Sequence, residues 1–151
     1  MVVRIEKSVV IARPVEDVWA GLSNADNVKR WSVSGSEFKQ TSPGPMGVGA
    51  SLEEGRVVLG RFVRYQSFVV TEYEPNRTLA MTVTLFGMIR KSSTLRFALG
   101  ATGEGTRVTY VAEMDLKSGL RPFEGRLAKL LSQGLERQLA NLKSLVEAGF
   151  K

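Results

Sequence analysis

The C-terminal segment Pro122–Gly149 predicts one long amphipathic helix, and the rest of the chain has to supply a surface for it. At about 100° per residue, seven apolar residues share one face of this helix, while Glu136, Lys143 and Glu147 lie on the opposite face. We expect the apolar face to lie across an apolar sheet. Its members are Leu127, Leu130, Leu131, Leu135, Leu142, Leu145 and Val146.

The segments before this helix predict such a sheet. Val2–Ala12 is rich in β-branched residues and predicts a first strand. Two short helices follow it, one opening at Pro14 with acidic residues in its first turn and one covering Ala25–Trp31. The remaining segments have the spacing of an antiparallel meander. Its predicted strands are Ser34–Gln40, Ala50–Glu54, Arg56–Tyr73, Leu79–Phe86, Ser92–Leu99 and Thr106–Leu116.

The lengths of three turns predict which residues of the meander face each other. The turns are Gly103-Glu104, Met88-Ile89-Arg90 and Glu74-Pro75-Asn76-Arg77. They predict the pairs Leu99–Val108, Phe97–Tyr110, Leu95–Ala112, Leu85–Ser93, Val83–Leu95, Val70–Met81 and Phe68–Val83. All three turns place the large apolar residues on one face, although a bulge in the long strand would turn part of it over. That face comprises Phe62, Phe68, Val70, Leu79, Met81, Val83, Leu85, Leu95, Phe97, Leu99, Val108, Tyr110, Met114 and Leu116.

Polar residues interrupt both apolar surfaces. Arg64 and Gln66 fall on the inward register of the long strand, and Gln138 lies at the centre of the helix stripe, with Gly134 one turn before it and Asn141 at its edge. An unpaired buried polar group costs about 1–3 kcal/mol, so these residues predict a cavity between helix and sheet. Three alternatives stay open. Arg64 could reach water at the sheet rim, Gln138 could bond a sheet carbonyl, and Gly134 could permit close packing.

The chain contains neither Cys nor His. Thiolate and imidazole catalysis are therefore excluded, and we expect neither a metal nor a cofactor. Tyr110 as a proton donor and Arg64 as an electrostatic clamp are only weak catalytic candidates, because acid–base catalysis favours a side chain of a type that ordinarily titrates near neutrality, and tyrosine and arginine are not of that type. Glu113 and Asp115 point outward in the predicted register. The predicted register does not assign three further carboxylates to either face of the sheet: Glu37, Glu53 and Glu54.

The net charge of +6 arises from 21 Lys and Arg against 15 Asp and Glu. These cations are scattered rather than gathered in a stripe, so we expect a solvated basic surface and no nucleic-acid partner. Attraction of an anionic ligand, or transient contact with an anionic membrane, is the alternative. We find neither an apolar run of membrane-spanning length nor a signal-peptide pattern, and we expect a single cytoplasmic domain covering residues 1–151.

Several segments resemble the START-related SRPBCC superfamily, which includes polyketide cyclases and dehydrases, lipid-transport proteins and the birch pollen allergen. The similarity spans nearly the whole chain. It implies an α+β helix-grip fold, in which a curved antiparallel sheet of about six or seven strands wraps around a long C-terminal helix, with two short helices after the first strand. The segments that carry it are Ala12–Leu22, Asp26–Trp31, Gly47–Gly49, Val70–Pro75 and Gly105–Tyr110.

The resemblance also implies a deep, mostly apolar cavity and three kinds of function. We expect binding or transport of a hydrophobic small molecule such as a lipid or polyketide. The alternatives are a metal-free aromatase/cyclase or dehydratase, and a domain that stimulates the Hsp90 chaperone. No catalytic residue is carried over, because no matching catalytic motif is present. The predicted ligand-binding residues are Phe62, Arg64, Gln66, Phe68, Met81, Val83, Leu95, Phe97, Tyr110, Met114, Leu131, Gly134 and Gln138.

Overall fold

The computed structural model describes residues 2–32, 37–85, 93–115 and 118–151. Strand β1 (Val2–Ile11) is followed by two short helices, α1 (Val15–Ser23) and α2 (Ala25–Trp31). A 3-10 helix over Ser118–Phe123 leads into the long helix α3 (Glu124–Glu147). Between them lie β2 (Glu37–Gln40), β3 (Ser51–Val58), β4 (Arg61–Glu74), β5 (Thr78–Leu85), β6 (Ser93–Thr102) and β7 (Gly105–Asp115).

The strands in the described ranges form one seven-stranded antiparallel sheet in the order β1-β7-β6-β5-β4-β3-β2. Each strand of the meander therefore lies beside the next one in the chain, and β1 returns to pair with β7. The concave face of this curved sheet carries the core, against which α3 packs Leu135, Leu139, Leu142 and Val146. The predicted α+β helix-grip architecture is confirmed.

The two short helices have clear local causes. Pro14 stands at the N-cap of α1, followed by Glu16 and Asp17 in the first turn, where acidic side chains complement the helix dipole. The Asn24 side chain caps α2 by accepting hydrogen bonds from two backbone N–H groups, as N-cap residues do. The Trp31 indole donates to the Gly21 carbonyl at 2.8 Å and so joins the two helices.

The predicted boundary between the strands Ala50–Glu54 and Arg56–Tyr73 is wrong. Strand β3 runs on to Val58, and the chain reverses at Leu59-Gly60. Gly55 instead faces a β-bulge in β4, where the register shifts so that Gln66 pairs with Glu54 but Arg64 pairs with Gly55. A Cβ on Gly55 would lie 2.2 Å from the Val63 carbonyl oxygen, so the glycine permits a close backbone approach.

The predicted register holds for two of the three turns. The β6–β7 pairs and the pairs Val70–Met81 and Phe68–Val83 are confirmed. Between β5 and β6, however, Val83 pairs with Ser93 and Met81 with Leu95, two residues from the prediction. A shift of two keeps every side chain on its face, so the apolar face survives the error. Several predicted features lie outside the described residues: the loop Met88–Arg90, Ser34, Phe86, Ser92, Leu116 and the side chain of Leu85.

Candidate functional site

A cavity of about 230 Å³ lies between the concave face of the sheet and α3. Its wall is mainly apolar, and all three α-helices and each strand from β2 to β7 contribute to it. The short helices and the loop after β2 supply Leu22, Val28, Trp31 and Met46; the sheet supplies Phe38, Leu52, Phe68, Leu79, Met81, Val83, Leu95, Phe97, Tyr110 and Met114; and α3 supplies Leu130, Leu131, Gly134 and Leu135.

Aromatic rings give this wall a defined shape. Phe97 and Tyr110 are cross-strand partners, and their rings stack with centroids 4.1 Å apart. Trp31 of α2 meets Phe97 edge to face at 6.0 Å. Nearer the β2 edge of the sheet, on the same face, Phe68 packs against Phe38 at 5.3 Å. Such contacts add stabilisation beyond the buried area and hold each ring in one orientation.

One carboxylate stands inside the cavity. Glu54 is only 2% exposed, and its Oε1 accepts a hydrogen bond from the Gln66 amide. The two residues are cross-strand neighbours immediately beside the β4 bulge, which fixes their mutual position. A buried charge requires partners of this kind, because its desolvation is costly.

Burial raises the pKa of the Tyr110 phenol, and the negative charge of Glu54 raises this pKa further. The phenol therefore keeps its proton at neutral pH and can serve as a hydrogen-bond donor. A carboxylate acceptor and a phenol donor thus line the same apolar cavity.

Two more polar groups lie where α2 meets α3. The Ser32 hydroxyl oxygen and the Gln138 side-chain oxygen are buried, and neither has a hydrogen-bond partner within the described part of the chain. Gly134 lies one turn from Gln138, and a Cβ built on it would meet nothing within 4 Å. The open space beside Gly134 excludes the alternative in which this glycine permits close helix packing.

The structure places eleven of the thirteen predicted ligand-binding residues around this cavity. Their role in ligand binding stays a prediction. Arg64 and Phe62 are placed elsewhere. The β4 bulge turns both onto the outer face of the sheet, where Arg64 pairs with Glu53 at 3.1 Å and Phe62 lies under the Lys39 ammonium at 3.9 Å. The prediction that Arg64 and Phe62 line the cavity is therefore wrong.

A basic groove adjoins the cavity between α2 and α3, with a volume of about 710 Å³. Ser32, Gly134 and Gln138 line both spaces, so the groove and the cavity are neighbours across one wall. The other lining residues of the groove are Lys29, Arg30, Arg137, Asn141, Ser144, Leu145, Ala148 and Lys151.

The described ranges contain neither a cluster of metal-ligating side chains nor a membrane-spanning helix. No group of three Asp, Glu, Cys or His side chains in these ranges is placed to hold a metal ion. No helix there is long and apolar enough to cross a membrane.

The model of the family described as polyketide cyclase/dehydrase and lipid transport matches residues 2–147. The chain belongs to this family. The sequence resemblance to the superfamily is thereby confirmed. None of the curated proteins compared with this chain matches it.

Solved structures share the fold at low sequence identity. SA2116 from Staphylococcus aureus, a protein of unknown function, is 12% identical with a TM-score of 0.79, covering 99% of this chain and 96% of that one. Ara h 8.0201 is 16% identical with a TM-score of 0.72, covering 98% and 99%. The di-domain ARO/CYC StfQ of the steffimycin biosynthetic pathway is 16% identical with a TM-score of 0.79, covering 99% of this chain and 52% of that one. At these identities the similarity shows the fold alone.

Proposed function

We propose that this chain binds a hydrophobic small molecule in the cavity between the sheet and α3. The observation that carries the proposal is a mainly apolar cavity of about 230 Å³ beneath a helix whose central Gly134 leaves open space. An apolar protein cavity of roughly 150 Å³ is large enough to bind benzene. The space here therefore suits a larger body, such as a bicyclic aromatic compound or a short branched chain. The description of the family includes lipid transport, which is consistent with such a ligand.

Burial of apolar ligand surface would supply most of the affinity, at roughly 25 cal/mol per Å² before the costs of association. The polar groups in the wall would orient the ligand instead. Tyr110 offers a hydroxyl donor, and Glu54 and Gln138 offer acceptors, so a ligand with a matching hydroxyl or carbonyl is favoured over a pure hydrocarbon.

Binding of N-phenyl-1-naphthylamine tests this proposal, because this neutral dye, a naphthyl group joined to a phenyl ring, fluoresces strongly in apolar sites. We expect saturable binding to the wild type and at least a tenfold loss of affinity in Gly134→Leu, whose new side chain would occupy the open space. Ala140→Leu adds apolar bulk to an exposed position of the same helix and serves as the control. No saturable binding to a folded wild type, or equal affinity in both variants, would overturn the proposal.

A second candidate function is a reaction of the cyclase or dehydratase type, and Glu54 is the observation that favours it. A buried carboxylate that shares the cavity with a protonated phenol can remove a proton α to a carbonyl, while the phenol donates a hydrogen bond to the carbonyl oxygen. The apolar wall would exclude water from the reacting atoms. StfQ, which shares the fold, carries the name ARO/CYC, but that assignment concerns StfQ alone.

Solvent deuterium exchange at C2 of 1-tetralone, followed by NMR, tests this second candidate without knowledge of the natural substrate. We expect the wild type to accelerate exchange and Glu54→Gln to abolish the acceleration while still binding the neutral dye. Equal exchange rates in the two proteins would contradict the catalytic role of Glu54 and leave ligand binding as the proposed function. The chaperone-stimulating alternative stays a prediction.

A further inference from the structure

The groove between α2 and α3 differs from the cavity in its charge. Four cations line it, namely Lys29, Arg30, Arg137 and Lys151, and no Asp or Glu of the described chain does so. The acidic residues of the same stretch of α3 lie on the side of the helix that faces β1, where they form ion pairs. There Glu136 pairs with Lys7 at 2.7 Å, and Glu147 pairs with Lys143 at 2.8 Å. Positive charge is therefore concentrated on the groove side of the helix.

Two of these cations, Lys29 and Arg30, already have partners among the described residues. Lys29 pairs with Glu37 at 2.7 Å, and Arg30 donates to the Phe150 carbonyl at 2.8 Å. For Arg137 the described residues provide no acidic partner within ion-pair distance. Basic residues in the last turn of α2 also complement its helix dipole, but Arg137 belongs to another helix and gains nothing from that dipole.

The groove meets the cavity at Ser32, Gly134 and Gln138, which line both spaces. Gly134 has no side chain to divide them, and the Ser32 and Gln138 side chains each keep one buried oxygen without a partner within the described residues. A molecule long enough to cross this boundary would find an apolar wall at one end, polar groups at the crossing and cations at the other end.

We infer that the cavity and the groove form one two-part site for an amphiphile with an anionic group. The apolar body occupies the cavity, and a carboxylate, phosphate or sulfonate lies in the groove against Arg137, with Lys29 nearby. This inference rests on the proposed function, to which it adds the chemical class of the ligand. An arginine guanidinium suits the role, because it offers several donors in a plane that matches such anions.

Two dyes with the same body separate the inference from the proposed function. N-phenyl-1-naphthylamine is neutral, whereas 8-anilinonaphthalene-1-sulfonate carries the same rings and one sulfonate. We expect Arg137→Gln to weaken binding of the sulfonate about two- to fivefold and to leave the neutral dye unchanged, as is typical for loss of one partly exposed ion pair. Lys29→Gln in addition should weaken the sulfonate further, and 0.5 M NaCl should reduce the differences.

Arg126→Gln is the matched control, because Arg126 is an exposed arginine of the same helix that lines neither space. It removes the same charge and therefore reports the effect of net charge alone. Equal sulfonate affinities in Arg137→Gln and Arg126→Gln, with the neutral dye still bound, would overturn the inference and leave the proposed function standing. Failure of the neutral dye to bind the wild type would overturn the proposed function itself.

Vesicle pelleting distinguishes a free amphiphile from a membrane lipid as the source of the anionic group. Pelleting with phosphatidylglycerol-containing vesicles, but not with phosphatidylcholine alone, and its loss in Arg137→Gln would identify a lipid head group. A dye effect without pelleting would identify a free amphiphile. Either result supports the two-part site, and pelleting that Arg137→Gln and Arg126→Gln reduce equally would count against it.

Discussion

The Tyr110 phenol is the clearest source of pH dependence at the scale of single residues. Its pKa lies above the ordinary value of 10.0 because burial and the nearby Glu54 carboxylate both oppose the phenolate. Above pH 10 the unfolded chain loses this proton while the folded chain keeps it. Titration of Tyr110 therefore leaves the free energy of unfolding unchanged below pH 10. As the pH rises above 10, this group lowers the free energy of unfolding by up to about 1.4 kcal/mol per pH unit.

Urea unfolding between pH 8 and pH 11.5 checks this prediction against Tyr110→Phe, which lacks the ionisable group. We expect the free energy of unfolding to fall more steeply with pH in the wild type than in the variant. Absorbance at 295 nm gives a second measurement, because one of the three tyrosines should not ionise until the chain unfolds. Parallel pH profiles in the two proteins would contradict the prediction.

Glu54 shows why the sequence predicts the apolar residues of the cavity wall better than the polar ones. The apolar residues of the wall follow the two-residue period of the strands, so one correct turn assigns many of them. Glu54 stands in a segment with a second glutamate beside it, and either could have faced inward. Glu54 points into the cavity because it alternates with Leu52, which pairs with the inward-facing Phe68. No predicted turn sets this pairing of β3 with β4. The buried carboxylate was the residue that sequence reasoning missed.

The β3–β4 hairpin shows the same limit at the scale of elements. Gly55 looks like a turn residue in the sequence, but it accommodates the bulge, and the turn follows at Leu59-Gly60. The bulge moves Arg64 and Phe62 to the outer face. A bulge depends on how two strands approach each other, and no local sequence pattern in this segment predicts it.

The turn of this hairpin predicts a stabilising substitution. Leu59 and Gly60 both have positive φ, at 51° and 77°, and Leu59 is 99% exposed. Two positive φ angles are typical of a type I′ turn, which prefers Asn-Gly because these residues tolerate positive φ. Leucine is strained in this conformation. We expect Leu59→Asn to stabilise the protein by about 0.5–1 kcal/mol and to raise Tm by about 1–4 °C. Val58→Asn, at an exposed strand position next to it, should give no gain, and equal effects in both variants would contradict the prediction.

Two helical glycines predict opposite effects of one substitution. Gly134 of α3 has open space around a built Cβ, whereas a Cβ on Gly21 of α1 would lie 3.1 Å from Leu142 and 3.2 Å from Val146. Gly134→Ala should therefore raise the free energy of unfolding by about 0.5–1 kcal/mol through helix propensity alone. In Gly21→Ala, steric crowding should outweigh the gain in helix propensity and lower the free energy of unfolding by about 1 kcal/mol or more. Thermal unfolding of the two variants measures both signs, and a gain at Gly21 would show that the helices separate easily.

For the whole molecule, polar contacts join α3 to β1 along one side of the long helix. Lys7 pairs with Glu136 at 2.7 Å, and the Lys143 ammonium donates to the Val10 carbonyl at 2.7 Å. Near the end of the helix, Glu147 accepts a hydrogen bond from the Ala12 N–H at 2.8 Å. The helix stripe itself was readable from its sequence period, but these long-range contacts depend on the assembled fold. They attach α3 at the sheet edge formed by β1, while its other side borders the cavity and the groove.

Glu147 makes this attachment dependent on pH. The Ala12 N–H and the Lys143 ammonium hold the pKa of its carboxyl below the ordinary value of 4.5. The stabilisation is therefore present above pH 4.5 and is lost as the pH falls through the lower pKa of the folded state. We expect Glu147→Gln to lower Tm by about 1–3 °C at pH 7, the size typical of a partly exposed pair, and to have little effect near pH 3. Glu104→Gln, an equal change of charge in the exposed β6–β7 turn, should leave Tm unchanged at both pH values. A Tm difference for Glu147→Gln that persists at pH 3 would show that the carboxylate charge does not stabilise the contact between α3 and the sheet.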